Sequence, residues 1–103
     1  MDKKYKVVYL PLFYKDLDKI TNYIKYQLNN IIAANNLLDE VNQEIEKRAH
    51  NPDNYERYIS IRKRKDSYYR IYVKNYTIFY IVKDNIMQIR RILYNKREFD
   101  KLF

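Results

Sequence analysis

The sequence predicts an α+β domain. It should hold an N-terminal strand, an antiparallel two-helix hairpin, then a three- to four-stranded antiparallel sheet with the helices on one face. Three observations predict this. Apolar residues in the first half recur at helical spacing along two stripes separated by Asn29-Asn30. From Tyr69 to Glu98, apolar or β-branched residues alternate with basic or polar ones, with breaks only at Lys74-Asn75 and Asp84-Asn85. That is the pattern of a three-stranded meander with two tight turns. The chain has 103 residues without repeat, low-complexity segment or linker, which predicts that residues 1–103 form one domain around one small core.

Tyr5 to Tyr9 suits a short strand. Pro11 fits the first turn of a helix, where its missing N–H costs nothing. Phe13, Leu17, Ile20, Ile24 and Leu28 then recur three or four residues apart as one buried stripe, with Lys15, Asp18, Asn22 and Lys25 lying off it. Asn29-Asn30 breaks this helix and can cap the next. A second stripe runs through Ala34, Leu38, Val41, Ile45 and Ala49, and Asp39, Glu40, Glu44 and Glu46 lie largely on its solvent side. The second helix should stop near His50-Asn51-Pro52, because the residue before proline avoids the helical region. A short link implies antiparallel helices. Tyr58 to Ile61 suits a strand and Arg62 to Ser67 a solvated turn. Strands follow near 68–73, 76–83 and 86–93, then a basic tail from Tyr94 to Phe103.

Composition narrows the chemistry. Without cysteine there is no disulfide and no thiolate-bound metal, and one histidine does not build a classical metal site. No cofactor is expected. No apolar run reaches the ~18 residues of a membrane span, and the N-terminal run lacks the small-residue cleavage site of a signal peptide. The expected location is the cytoplasm, with no membrane partner. Glycine is absent, so left-handed backbone positions should fall to Asn or Asp; Asn29, Asn51, Asn75, Asn85 and Asn95 stand at the expected breaks. The formal charge of +8 is uneven: residues 1–56 carry 8 Lys/Arg against 9 Asp/Glu, and residues 57–103 carry 13 against 4. A basic half implies a polyanionic target or an acidic partner. One sheet face should pack on the core while the other presents Arg, Lys and Tyr outward.

The element order and several segments resemble the RelE/ParE superfamily of bacterial toxin–antitoxin toxins over nearly the whole chain. The first-half segments are Leu17-Asp18-Lys19-Ile20 with Tyr23-Ile24, Ala33-Ala34 with Leu37-Leu38, Ile45, and Asn51-Pro52. The second-half segments are Tyr69-Arg70-Ile71, the run Asn75 to Val82, and the run Ile89 to Glu98. The resemblance implies a small growth-inhibiting or plasmid-stabilising toxin. It would be wrapped and blocked by a cognate antitoxin with a disordered, often acidic tail in a hetero-oligomer. RelE-like members cut mRNA in the ribosomal A site; ParE-like members inhibit DNA gyrase and cut nothing.

Metal-free RNA cleavage needs a base for the 2′-hydroxyl, cations on the crowded phosphate and an acid for the leaving oxygen. Lys96-Arg97-Glu98 resembles the RelE-like segment whose arginine stabilises that phosphate. Were the protein an endoribonuclease, Arg97, Arg70 and Tyr94 would be its catalytic residues. Two departures count against it. Thr77 stands where RelE-like toxins carry an arginine, and Phe103 stands where they place a proton-transferring tyrosine. Tyr94 would have to substitute. The ending through Leu102-Phe103 is similar to the ParE type and favours the gyrase reading. Candidate contacts to target or antitoxin are Arg62, Lys63, Arg64, Arg90, Arg91, Lys96, Arg97 and Phe103. Arg90 and Arg91 are adjacent in a strand, so one should face the helices and the other the open side. Plainer readings stand beside these. Arg70 pairs with Asp16 or Glu56, Tyr72, Tyr76 and Tyr80 are packing residues, and His50 merely favours a helix C-terminus. A basic nucleic-acid-binding module without toxicity is the alternative from another class.

Overall fold

The structure, a computed structural model, describes residues 4–55, 57–58 and 68–95. The elements run β1 (Lys6–Tyr9), α1 (Pro11–Asn22), a π-helical turn (Tyr23–Gln27), α2 (Ile31–Arg48), β2 (Arg57–Tyr58), β3 (Tyr68–Val73), β4 (Tyr76–Lys83) and β5 (Ile86–Tyr94). The α+β class and the helical hairpin agree with the sequence reading. Of the expected strand at Tyr58–Ile61, only Tyr58 is among the described residues.

The sheet has five strands in the order β1-β5-β4-β3-β2. Strands β2 to β5 pair antiparallel, as a meander must. The N-terminal strand joins the same sheet parallel to β5, with Val7 opposite Met87 and Tyr9 opposite Ile89. A parallel pair needs a long crossover, and the hairpin is part of it. Sequence periodicity marks a strand without saying which neighbour it takes, so this pairing is new.

Helix α1 begins as expected, with Pro11 at its first turn and Leu10 extended before it. Phe13 and Ile24 are buried, and Leu17 and Ile20 pack against the core from partly buried positions. Leu28 does not continue the stripe; it is 56% exposed. The reason is the π-helical turn, in which the Leu28 N–H donates to the Tyr23 carbonyl five residues back at 3.1 Å. The wider turn rotates later side chains off the core line. Asn29 then takes a left-handed φ of 50°, and the Asn30 side-chain oxygen accepts from the Ala33 N–H at 3.0 Å, capping α2. In α2 the buried residues are Ala34, Leu37, Val41 and Ile45. Leu37, not Leu38, holds the buried position, and Leu38 sits on its flank half-buried.

These helices cover one sheet face, against Tyr69, Ile71, Val73, Ile78, Tyr80, Met87, Ile89 and Ile92. Fully burying each large apolar side chain contributes about 1.5–3 kcal/mol. The opposite face departs from the expected open platform. Thr77 and Phe79 are fully buried there, Ile81 is nearly so, and Phe79 packs with Leu93 and Tyr68. Strand β4 is therefore sealed on both faces, and exposed groups on the outer side stand toward the neighbouring strands.

Both tight turns need a left-handed backbone. Asp84 and Asn85 have φ of 53° and 64°, the signature of a type I′ hairpin turn. In the β3–β4 turn Lys74, not Asn75, takes the positive φ of 52°, so lysine bears one strained position that the glycine-free chain was expected to give to Asn or Asp. Replacing Asn85 by alanine should cost about 1 kcal/mol and replacing it by glycine almost nothing, as read from urea unfolding. Equal costs for the two variants would contradict the backbone argument.

Candidate functional site

The outer side of β5 carries the most informative local geometry. Phe79 opposes Arg91 and Tyr80 opposes Ile89, so β5 holds one extra residue, Arg90, at a bulge. The two adjacent arginines part company there. Arg91 turns to the helix side, donating from Nε to Asp16 Oδ2 at 2.7 Å and from Nη2 to Oδ1 at 2.9 Å. The same Asp16 Oδ2 accepts the backbone N–H of Ile92 at 3.2 Å. This two-pronged pair is only 19% and 12% exposed, so it is far better shielded than a surface ion pair. Arg90 donates from Nε to Gln88 Oε1 at 2.7 Å, on the strand face away from Met87 and Ile89.

Arg70, on β3, is opposite Phe79, which in turn is opposite Arg91. At one strand spacing per step, the backbones of β3 and β5 flank β4 about 10 Å apart. The buried Phe79 ring thus forms the floor between Arg70 and the bulge. The Arg70 guanidinium stands 5.6 Å from the Tyr72 ring centre, and Tyr72 is 61% exposed. Asp16, proposed as a partner of Arg70, is instead the partner of Arg91; Glu56, the other proposed partner, lies outside the described residues.

At the end of β5 the chain is pinned. The Thr77 hydroxyl bonds the side-chain oxygen of Asn95, and the Asn95 N–H donates to the Asn75 carbonyl at 2.7 Å. Thr77, where the resemblance expected arginine, is a fully buried peg and offers no cation. Tyr94 is 45% exposed and leans on Tyr76, their ring centres 5.6 Å apart. Lys96, Arg97 and Phe103 lie outside the described residues, as do Arg62, Lys63 and Arg64. Among the described candidates, Arg70 and Arg90 flank one floor, Arg91 is committed to the scaffold, and Tyr94 stands at the strand end.

Sequence reasoning missed Arg48. From the last turn of α2 its Nη1 donates to the Arg70 carbonyl and to the Tyr80 hydroxyl, each at 2.9 Å. The Tyr80 hydroxyl donates onward to the Pro52 carbonyl at 2.6 Å. The Arg48 guanidinium lies 3.5 Å from the Tyr55 ring centre, a close cation–π contact. One residue thereby ties α2, the 52–55 loop and β3 together. A signal was present: Tyr80 is the only hydroxyl-bearing residue in the core-facing part of Ile78 to Val82, and a buried phenol needs a partner. Burial pushes the Tyr80 hydroxyl up to about 12, with Arg48 pulling the other way. Tyr80 keeps its proton at neutral pH and is no general base there.

Among the described residues, no group of three or more His, Cys, Asp or Glu could hold a metal ion, and no helix is long and apolar enough to cross a membrane. The family model for the ParE toxin of type II toxin-antitoxin system, parDE, matches residues 7–99. The crystal structure of the RelB-RelE antitoxin-toxin complex from Methanococcus jannaschii contains a similar chain, with a TM-score of 0.50 and 21% identity over 93% of this chain and 99% of that one. That likeness is one of fold. No curated protein matches.

Two outcomes are expected from this geometry. Tyr80 has a raised folded pKa, so its contribution is fully present below pH 10 and drains away as pH climbs from about 10 to about 12, by up to ~1.4 kcal/mol per pH unit. Alkaline unfolding curves should show this step, and Tyr80→Phe should remove it while costing about 1–3 kcal/mol at pH 7 for the lost hydrogen bonds. An unchanged alkaline curve would refute the assignment. Arg90→Ala should shift stability by no more than about 0.5 kcal/mol by chemical denaturation; a loss of several times that would make Arg90 part of the scaffold.

Proposed function

The chain belongs to the ParE toxin family of type II toxin–antitoxin systems, and from that premise we propose that it arrests growth by inhibiting DNA gyrase without catalysis until a cognate antitoxin binds it. One observation carries the non-catalytic half of this reading. Thr77, at the position of a RelE-like arginine, is buried and bonded to Asn95, so that position supplies no cation to a phosphate. Among the described residues, Tyr80 holds its proton at neutral pH, and His50 sits just beyond α2. What remains is suited to gripping: Arg70 and Arg90 around an apolar floor, with Lys96 and Arg97 following the pinned strand end in sequence. Arg97 is the residue proposed to engage the target. An antitoxin partner is supported by the family and by the fold neighbour, which is itself an antitoxin–toxin complex. An acidic segment is the natural complement to a second half carrying 13 Lys/Arg against 4 Asp/Glu. The place of action proposed is the cytoplasm, where gyrase works.

The RelE-like alternative rests on Lys96-Arg97-Glu98 and would use Arg97, Arg70 and Tyr94. Induced expression in a bacterium separates the two. The gyrase reading expects growth arrest with an SOS response, gyrase-linked DNA breaks and loss of supercoiling activity in a purified gyrase assay. Rapid cleavage of mRNA within reading frames would overturn it in favour of the nuclease, and healthy growth in a host with a sensitive gyrase would overturn both. Arg97→Ala should relieve arrest with an unchanged melting temperature; full toxicity of that variant would remove Arg97 from the site.

A further inference from the structure

Among the described residues, β2 pairs with only the first two residues of β3. Tyr58 lies opposite Tyr68 and Arg57 opposite Tyr69, one residue short of Arg70. At that next position the Arg70 carbonyl is met by a side chain, Arg48 Nη1, which donates to it at 2.9 Å. A backbone carbonyl at a strand edge needs a donor, and arginine brings one on a planar, always-charged group.

This arginine has a firm base. It is the last residue of α2. The next residue, Ala49, is fully buried, and its carbonyl accepts the Tyr5 N–H at 2.9 Å. The guanidinium lies against the Tyr55 ring and also donates to the Tyr80 hydroxyl, which donates to the Pro52 carbonyl. Tyr80 is opposite Tyr69 across the β3–β4 pair, and their rings stack with centres 5.3 Å apart and planes 15° apart. One planar group therefore fixes the carbonyl of Arg70 and, through the stacked pair, the side chain of the residue before it. These contacts lie on the helix side, where Tyr69 and Ile71 enter the core. Alternation sends the side chains of Arg70 and Tyr72 to the opposite face. A group on one face of the sheet thus sets the backbone from which an arginine on the other face projects. A small rotation of that backbone is magnified at the guanidinium, several bonds farther out.

We infer that Arg48 is a positioning residue for Arg70. It supplies a donor at the point where the pairing of β2 with β3 stops, and Tyr55 and Pro52 keep it in place. This rests on the reading above, in which Arg70 helps to grip the target. It deepens that reading by naming what aims the arginine. The 52–55 loop thereby bears on a contact that it does not touch.

The test compares purified variants in gyrase supercoiling inhibition and in the NMR order of the Arg70 side chain, read from the heteronuclear NOE of its Nε–Hε pair. Arg48→Ala should raise the toxin concentration for half inhibition at least about five-fold and lower that NOE. Arg70→Ala should also weaken inhibition, and adding Arg48→Ala to it should weaken inhibition no further, because residues that act through one another are not additive. Tyr80→Phe is the stability control. It removes the hydroxyl that Arg48 holds but leaves the carbonyl bond, so it should destabilise the domain and keep full inhibition. Arg48→Lys retains a donor and should recover part of the inhibition lost in Arg48→Ala. If Arg48→Ala does not fold, Tyr55→Leu, at a half-exposed position, carries the test: it takes the ring off the guanidinium and should lower the Arg70 NOE. Full inhibition with an unchanged NOE in the variant that carries the test overturns the inference and leaves the gyrase reading standing. The inference also falls if the Arg48→Ala loss persists undiminished in the Arg70→Ala background, if Tyr80→Phe loses as much inhibition, or if Arg70→Ala inhibits fully. Wild-type toxin without effect on gyrase overturns the gyrase reading; the Arg70 NOE then decides the inference by itself, and unchanged order overturns it.

Discussion

The carboxylate of Asp16 holds three donors: two from the Arg91 guanidinium and one from the backbone of Ile92. The arrangement on both sides of the sheet depends on this clasp. It fastens α1 to β5 at the bulge, so the helix layer and the strand register are fixed by one group. Residues after the bulge are out of step with residues before it, and that is how both Ile89 and Ile92 reach the same core. Without the extra residue, strict alternation from Ile89 would send Ile92 outward. The clasp also decides which arginine is scaffold and which remains near the surface.

A second constraint is the burial of β4 on both faces. A small domain gains stability by enclosing its central strand, and Thr77, Phe79 and Ile81 contribute on the side away from the helices. The consequence is functional. A broad cationic sheet face is replaced by an apolar floor with arginines at its margins and a pinned exit for the chain at Asn95. The arginines at those margins, Arg70 and Arg90, are set apart by the strand spacing across the floor.

Much of this was legible in the sequence because periodicity reports burial. The hairpin stripes, the three long strands, the Asn30 cap and the Asp84-Asn85 turn all follow from local spacing and local chemistry. What was not legible depends on non-local geometry. The pairing of β1 with β5 is set by where the hairpin returns the chain. The two neighbouring leucines 37 and 38 cannot be told apart by a stripe drawn in one helix, because their directions differ by only about 100°. Leu28 falls off its stripe through a π-helical turn that no residue in Tyr23–Gln27 announces. Lys74 bears a left-handed φ although an asparagine follows it, and the sequence holds no reason for that choice. The adjacent arginines suggested a division of labour between the faces, and the structure assigns it: Arg91 to Asp16 and Arg90 to Gln88. Thr77 drew attention as a departure from a family pattern; its burial gives that departure a physical meaning. The Arg48–Tyr80 tie went unread because its members are 32 residues apart, and the buried phenol signals a need for a partner without naming it.

At the centre of this arrangement, Arg91 is a structural strut whose charge is committed to Asp16. A double-mutant cycle with Asp16→Ala and Arg91→Ala, read by equilibrium denaturant unfolding, tests it most directly. It isolates the pair from the separate bond between Asp16 and the Ile92 N–H. The account predicts a coupling of about 2 kcal/mol for two charge-assisted hydrogen bonds shielded from water. A coupling near zero, with each variant as stable as the parent, would contradict it.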